Sequence, residues 1–149
     1  MADAGGLTLR LSRVVPAPRA QVFDACTNRD ELPHWWGPHG FTTPQIDLDL
    51  RVGGAYRFAM QPPDGDVFHL SGEFRTIEPP ARLVYTFRWE EPDPDDRETV
   101  VDLAFGDLDD STEVALVQSG FATEGRRALH EAGWTDSLDR LQELMSSRG

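Results

Sequence analysis

Few residues of this sequence have the types and spacing that catalysis requires. Ser71, Ser119 and Ser137 have no G-x-S-x-G turn around them, which is the local signature of a hydrolase nucleophile. The single cysteine, Cys26, ends a short amphipathic segment, where a buried structural thiol is the common state. A lone cysteine also forms no internal disulfide and no thiolate metal site. We therefore assign no catalytic residue.

The four histidines are scattered along the chain. No two of them have the i, i+4 spacing that places two metal ligands on one helical face. This distribution predicts no zinc site, and nothing else in the sequence indicates a cofactor. His34 and His39 flank residues 35–38, so they either reach a ligand at a cavity mouth or remain exposed in a loop. The other two are His69 and His130.

The strand around His69 carries the remaining titratable candidates. An enzyme of the cyclase or hydrolase type needs two converging groups whose environments push their pKa values apart. Only His69, Glu73 and Arg75 are candidates for such a pair of groups. Ion pairing with residues on neighbouring strands accounts equally well for the presence of Glu73 and Arg75.

Large aromatic side chains are more numerous than a tightly filled core of this size requires, which indicates that some of them line a cavity. Gln118 shares a strand face with Val114 and Leu116. It would be a polar group in an apolar wall, and it therefore needs a partner such as a ligand, water or a tyrosine. The predicted ligand-binding residues are Trp36, Tyr56, Phe58, Met60, His69, Tyr85, Phe87, Gln118, Trp134, Leu138 and Leu141.

The charge balance restricts the partners. With 14 basic and 26 acidic side chains the net charge is −12, and a field of this sign repels polyanions, so we expect no nucleic-acid partner. The acidic runs 90–96 and 106–110 are predicted to be solvated hairpin tips, because neither has the spacing of an EF-hand calcium loop. No stretch approaches the roughly 18 apolar residues of a membrane span, and the N-terminus lacks a signal-peptide pattern, which predicts a cytoplasmic protein.

Alternating apolar and polar residues predict about seven β-strands. The segments with this period are 7–15, 41–51, 56–60, 67–77, 83–89, 99–105 and 114–118. Two short helices follow the first strand: one begins at Pro18, and the other begins near Asn28 and ends by Trp36.

A long helix is predicted at the C-terminus. Residues 124–132 form a helical lead-in, and Gly133 marks the junction with the main helix. Its apolar stripe consists of Trp134, Leu138, Leu141 and Met145.

These elements fit one domain, 1–149, with residues 1–6 as a flexible tail. A sheet and a helix that each have one apolar face bury those faces against each other. Gly53, Gly54 and Gly72 are placed to let the sheet curve. We predict an α+β fold in which a curved antiparallel sheet surrounds the C-terminal helix and leaves an apolar cavity between them.

Five blocks along the chain resemble, in order, the bacterial proteins similar to the C-terminal domain of the Hsp90 ATPase activator. The blocks are P-A-P-R-A-Q-V-F-D-A (16–25), E-L-P-H-W-W-G-P (31–38), D-L-R-V-G-G-A-Y-R-F (49–58), E-P-P-A-R-L-V-Y-T-F (78–87) and G-W-T-D-S-L-D-R-L (133–141). The resemblance covers nearly the whole chain. It implies the helix-grip fold of the START and Bet v 1-like superfamily, whose members bind lipids, sterols, polyketides or other apolar molecules and in some cases catalyse cyclisation or hydrolysis.

Three functions follow from the residues and the resemblance. The first is binding of a small hydrophobic or amphipathic ligand, lipid-like or polyketide-like, oriented by Gln118, Tyr85 and His69. The second is a cyclase or hydrolase that uses the same cavity. The third is a chaperone interaction, ranked last because the eukaryotic co-chaperone has an additional N-terminal domain for which this chain has no room. Exposure of Trp35 or Phe41 near the short helices would also allow a homodimer.

Overall fold

The computed structural model describes residues 7–148, so the tail predicted for residues 1–6 lies outside the described part of the chain. The strands are β1 (Leu7–Val15), β2 (Thr42–Leu48), β3 (Ala55–Gln61), β4 (Phe68–Glu78), β5 (Arg82–Trp89), β6 (Thr99–Asp107) and β7 (Thr112–Phe121). The helices are α1 (Arg19–Thr27) and α2 (Glu124–Arg148), and a single 3-10 turn (Leu32–His34) follows α1.

The strands form one antiparallel sheet in the order β1-β7-β6-β5-β4-β3-β2. From β2 to β7, each strand pairs with its neighbour in sequence, as short turns favour. The exception is β1, which pairs with β7, so that Leu9 lies opposite Gln118. The sheet and α2 together confirm the predicted α+β helix-grip fold.

Close backbone approaches at glycines allow the sheet to bend. A Cβ on Gly72 would lie 2.0 Å from the Thr86 carbonyl oxygen, and one on Gly54 would lie 2.1 Å from a backbone oxygen, so neither position accommodates a side chain. Just beyond Gly72, β4 shifts its register against β5 between Phe74 and Thr76. A bulge of this kind bends its strand and increases the local twist. A second register shift lies between Thr42 and Gln45 of β2, so the bending devices occur on more than one strand.

Aromatic packing holds the segment between β1 and β2. The Phe23 ring of α1 lies 5.4 Å from the Phe105 ring of β6, edge to face. Trp35 follows the 3-10 turn, is 1% exposed, and donates from Nε1 to the Ala25 carbonyl oxygen at 2.9 Å. Trp35 therefore fastens the turn to α1, and because it is buried it offers no surface to a dimer partner.

The helix α2 is continuous and crosses the concave face of the sheet. The buried side chains of its predicted apolar stripe are Trp134, Leu138, Leu141 and Met145. Gly133 does not mark a junction, and residues 124–132 belong to the same helix. A glycine inside a helix costs only about 1 kcal/mol relative to alanine, which packing of the stripe outweighs.

Candidate functional site

A cavity of about 520 Å³ opens between the first half of α2 and one end of the sheet. Its walls come from β3, β4 and β5, from the loop after the 3-10 turn and from the loop between β5 and β6. A volume in this range is typical of pockets that enclose small organic ligands. The cavity therefore lies where the bent sheet and the helix diverge.

The floor of the cavity is aromatic. It is formed by the side chain of Met60 and by six rings, those of Trp36, Phe41, Phe68, Phe87, Trp89 and Trp134. The Trp36 ring lies 5.2 Å from Trp134 and 5.0 Å from Phe58, both edge to face, and Phe87 meets Trp89 at 5.0 Å in the same way. Interlocked rings of this kind give a rigid apolar surface.

The mouth of the cavity is charged. Arg126 of α2 is 17% exposed, and its Nε lies 3.0 Å from an Asp95 carboxylate oxygen and 3.3 Å from one of Asp96. The same guanidinium also binds Asp93. These contacts tie the β5–β6 loop to the helix, so the acidic run predicted to be a solvated tip instead forms one side of the mouth. Beside it, the side chain of Leu129 is mostly exposed.

His130 lies one turn beyond Arg126 on the cavity wall. Trp89 donates from its indole Nε1 to His130 Nε2 at 3.2 Å, and the imidazole packs against Phe121 with a centroid distance of 4.9 Å. Burial, followed by the nearby Arg126 charge, lowers the pKa of His130 to about 4. The imidazole is therefore neutral at physiological pH.

Polar contacts from α2 hold the loop that carries Trp36. Arg140 Nη1 donates to the carbonyl oxygens of Trp36 and Gly37, at 3.0 Å each, and to that of Pro38 at 3.3 Å. Ser137 Oγ accepts from the Gly37 N–H at 3.0 Å. One wall of the cavity is thus fixed to the helix by backbone hydrogen bonds.

Four of the residues predicted to bind a ligand lie on the cavity wall, namely Trp36, Met60, Phe87 and Trp134. Tyr56, Phe58 and Tyr85 instead lie in the core beneath it, where Tyr56 packs 5.0 Å from Phe58 and 5.4 Å from Tyr85. The Tyr56 hydroxyl donates to the Thr86 carbonyl oxygen at 2.6 Å, and burial raises the pKa values of both tyrosines. These three residues support the wall from behind.

Leu138, Leu141 and His69 are also away from the cavity. The two leucines are buried against the sheet farther along α2. His69 points to the other face of β4, where its Nδ1 lies 3.0 Å from a Glu91 carboxylate oxygen. Alternation along a strand puts His69 and the cavity residue Phe68 on opposite faces, which explains the difference.

Gln118 was predicted as the polar anchor of a ligand, but its partners are protein groups. The side chain is 0% exposed. Its Oε1 accepts from Trp134 Nε1 at 2.8 Å, and its Nε2 donates to Thr99 Oγ1 at 2.8 Å. The prediction that the buried Gln118 amide needs a hydrogen-bond partner is correct, and Trp134 on the facing helix is one such partner.

The other polar candidates from the sequence lie apart from the cavity. Glu73 and Arg75 pair with each other on the exposed face of β4, with 3.3 Å between nitrogen and oxygen. Burial raises the pKa of Cys26 to about 12. His34 is exposed and does not border the cavity.

Sequence reasoning missed Arg126 and His130 as wall residues. A signal was available, because the positions four and eight residues before Trp134 continue the same helical stripe. The supposed junction at Gly133 hid it, since a helix that begins after Gly133 excludes both residues.

One group of side chains has the composition of a metal site. His39, Asp136 and Asp139 each place a ligand atom within 4.8 Å of the others. Asp139 already accepts from the Arg13 guanidinium, so a cation is present in the group and an exposed ion-pair network accounts for it.

A curved sheet that grips a long C-terminal helix beside an apolar cavity defines the helix-grip class of domains. Within that class, residues 16–146 match the family described as Activator of Hsp90 ATPase homolog 1-like protein, and the chain belongs to this family. Membership indicates a domain of the ligand-binding or co-chaperone type. No protein of curated function matches the sequence.

Solved structures agree with this assignment. A protein from Chromobacterium violaceum is 27% identical with a TM-score of 0.84, and the match covers 93% of this chain and 96% of that one. The AHSA1 protein from Silicibacter pomeroyi is 28% identical with a TM-score of 0.83, over 96% and 100% of the two chains. A protein from Nitrosomonas europaea is 26% identical with a TM-score of 0.80, over 99% and 98%. No helix within residues 7–148 is long and apolar enough to cross a membrane.

Proposed function

We propose that this protein binds a small hydrophobic or amphipathic molecule in the cavity between the sheet and α2. The observation that carries the proposal is the 520 Å³ cavity with its floor of aromatic rings and Met60. Within the described residues, the indole N–H groups of Trp89 and Trp134 are already bound to protein acceptors. Both rings therefore present carbon surface to an apolar ligand, which favours binding by burial of apolar area.

The lining also supports binding over catalysis. The acid–base candidates predicted from the sequence, His69, Glu73 and Arg75, lie on the face of β4 away from the cavity. Of the carboxylates that border the cavity, those of Asp93 and Asp96 are paired with Arg126. His130 borders the cavity, but its Nε2 accepts a hydrogen bond from Trp89, which orients the ring within the wall. A cyclase or hydrolase in the same cavity is therefore the weaker hypothesis.

The neutral dye Nile red tests the proposal, because its emission shifts to the blue and brightens in an apolar site. We expect saturable binding with a Kd on the order of 10 μM, since drug-sized ligands gain about 0.3 kcal/mol per heavy atom. Energy transfer from the wall tryptophans to the dye should accompany it. A dye that stays dark at protein concentrations well above this value contradicts the proposal.

A pair of variants on α2 locates the binding site. Ala132 is exposed at the helix surface and borders the cavity, so Ala132→Phe fills part of it without entering the core. Ala128 is exposed on the same helix and does not border the cavity. We expect Ala132→Phe to weaken Nile red binding at least tenfold and Ala128→Phe to leave it within about twofold of wild type. Equal effects would place the dye elsewhere.

Several narrower statements remain predictions. A lipid-like or polyketide-like ligand, a cytoplasmic location, a homodimer and the lack of a nucleic-acid partner follow from sequence and resemblance. A chaperone interaction is supported by the family description alone, and failure to recover the host Hsp90 in a pull-down with this chain would count against it.

A further inference from the structure

We propose that the cavity selects amphipathic ligands that carry a positive charge, such as an amine or a quaternary ammonium group on an apolar body, over fatty-acid-like anions. This inference rests on the proposed function and adds the charge class of the ligand. It is carried by the side chains at the mouth.

Carboxylates dominate the border of the cavity. Among the described residues, four acidic residues border it, Glu91, Asp93, Asp96 and Asp136, against one arginine, Arg126. The Glu91 carboxylate contacts His69 at 3.0 Å, whereas Asp93 and Asp96 face Arg126. His130 adds no charge, because it is neutral at physiological pH. The lining therefore has a net charge of three negative units, inside a chain whose total charge has the same sign.

The guanidinium of Arg126 is a poor receptor for a ligand carboxylate. It already faces Asp93, Asp95 and Asp96, and it is 17% exposed. An anionic headgroup would have to displace one of these carboxylates or sit beside them, and like charges repel at such distances. The other arginine near this wall, Arg140, directs Nη1 at three backbone carbonyl oxygens.

The floor suits a cation as well. Trp36, Phe87, Trp89 and Trp134 line the cavity below the carboxylates. Aromatic faces attract ammonium groups, and tryptophan does so most strongly. The carboxylates attract a cationic headgroup at the mouth, and the aromatic rings attract it deeper in the cavity. The apolar body of the ligand then lies against the carbon surface of the rings.

A series of decyl compounds tests this on the wild-type protein. Decyltrimethylammonium, 1-decanol and decanoate share one chain length and differ in charge, and each is titrated as a competitor of Nile red below its critical micelle concentration. At pH 8 and low ionic strength we expect the cation to bind about tenfold more tightly than 1-decanol, and decanoate about tenfold more weakly. In 0.5 M salt the gap between the two ions should shrink several-fold because screening weakens the interaction.

Charge-neutralising variants assign the effect to the mouth. Asp93→Asn with Asp136→Asn removes two of the lining carboxylates while Asp95 and Asp96 still hold Arg126. We expect the preference for the cation over 1-decanol to fall to about threefold or less. Asp110→Asn with Glu113→Gln removes the same charge from exposed positions in the β6–β7 turn and at the start of β7. This control should retain most of the preference, and thermal melts of both variants establish that they are folded.

The outcomes separate the two proposals. If neither Nile red nor 1-decanol binds, the ligand-binding function fails. If 1-decanol binds and decanoate competes as well as decyltrimethylammonium, the cavity is a binding site without charge selection and the present inference is overturned. If both double variants lose the preference for the cation over 1-decanol to the same extent, the preference comes from the net charge of the whole chain. That result also overturns the present inference.

Discussion

The hydrogen bonds of Gln118 allow a quantitative test of how the cavity wall is held. Gln118→Leu keeps the approximate volume but removes the acceptor of Trp134 Nε1 and the donor to Thr99 Oγ1. Each lost bond costs about 1 kcal/mol, and a buried N–H left without a partner costs a further 1–3 kcal/mol. We therefore expect the free energy of unfolding to fall by about 3–5 kcal/mol.

Urea unfolding followed by circular dichroism measures this loss, with Gln142→Leu as the matched control. Gln142 lies on α2 and donates to the Val14 carbonyl oxygen at an exposed site, so its replacement should cost less than about 1 kcal/mol. A double-mutant cycle with Trp134→Phe, which lacks the indole N–H, should give a coupling energy of about 1–2 kcal/mol between Gln118 and Trp134.

Two results would refute this reasoning. A Gln118→Leu variant as stable as the control would mean that the hydrogen-bonded chain contributes nothing to the fold. Loss of Nile red affinity at unchanged stability would return Gln118 to the role predicted from the sequence, a polar anchor that faces the ligand.

Three further experiments examine other parts of the molecule. Burial and the Arg126 charge lower the pKa of His130 from 6.5 to about 4 in the folded protein. The unfolded chain therefore binds the proton more tightly than the folded protein does. The contribution of His130 to stability is fully present above pH 6.5, and it is lost as the pH falls from 6.5 toward 4. Between pH 7.5 and pH 5, the free energy of unfolding measured with urea should fall by about 2 kcal/mol through His130. The His130→Gln variant should lack this part of the fall, and the variant of the exposed His34, His34→Gln, should still show it. Gly72→Ala should lower stability by more than about 3 kcal/mol in thermal melts, because its Cβ would lie 2.0 Å from a backbone oxygen. The control Gly106→Ala should change stability by less than about 0.5 kcal/mol, because its Cβ would meet nothing nearer than 3.6 Å. Arg140→Met should cost about 1.5–3 kcal/mol, and it should speed amide hydrogen exchange in residues 35–41; unchanged exchange there would show that the loop is held by other contacts.

The strands and the apolar stripe of α2 could be predicted because period 2 and period 3.6 are local properties of the sequence. Such periods identify which side chains face inward. They do not say which inward side chains meet a neighbour and which meet empty space. Tyr85 and Phe87 have the same orientation on β5, yet only Phe87 borders the cavity, because Tyr85 packs against Tyr56 and Phe74. The sequence could therefore predict that the site lies between the sheet and the helix, but not which of the inward-facing residues border it.

Trp134 shows how the same contacts support both the fold and the proposed site. Its indole N–H is bound to Gln118 on β7, and its ring is wedged edge to face against Trp36 while it lines the cavity. Both partners are fixed in turn, Gln118 by Thr99 and the Trp36 backbone by Arg140. A ligand that enters thus meets a wall whose rotamers are already set, and preorganisation of this kind lowers the entropy lost on binding. It follows that substitutions which loosen this chain, Gln118→Leu among them, should lower the stability and weaken ligand binding together, through the mobility of Trp134.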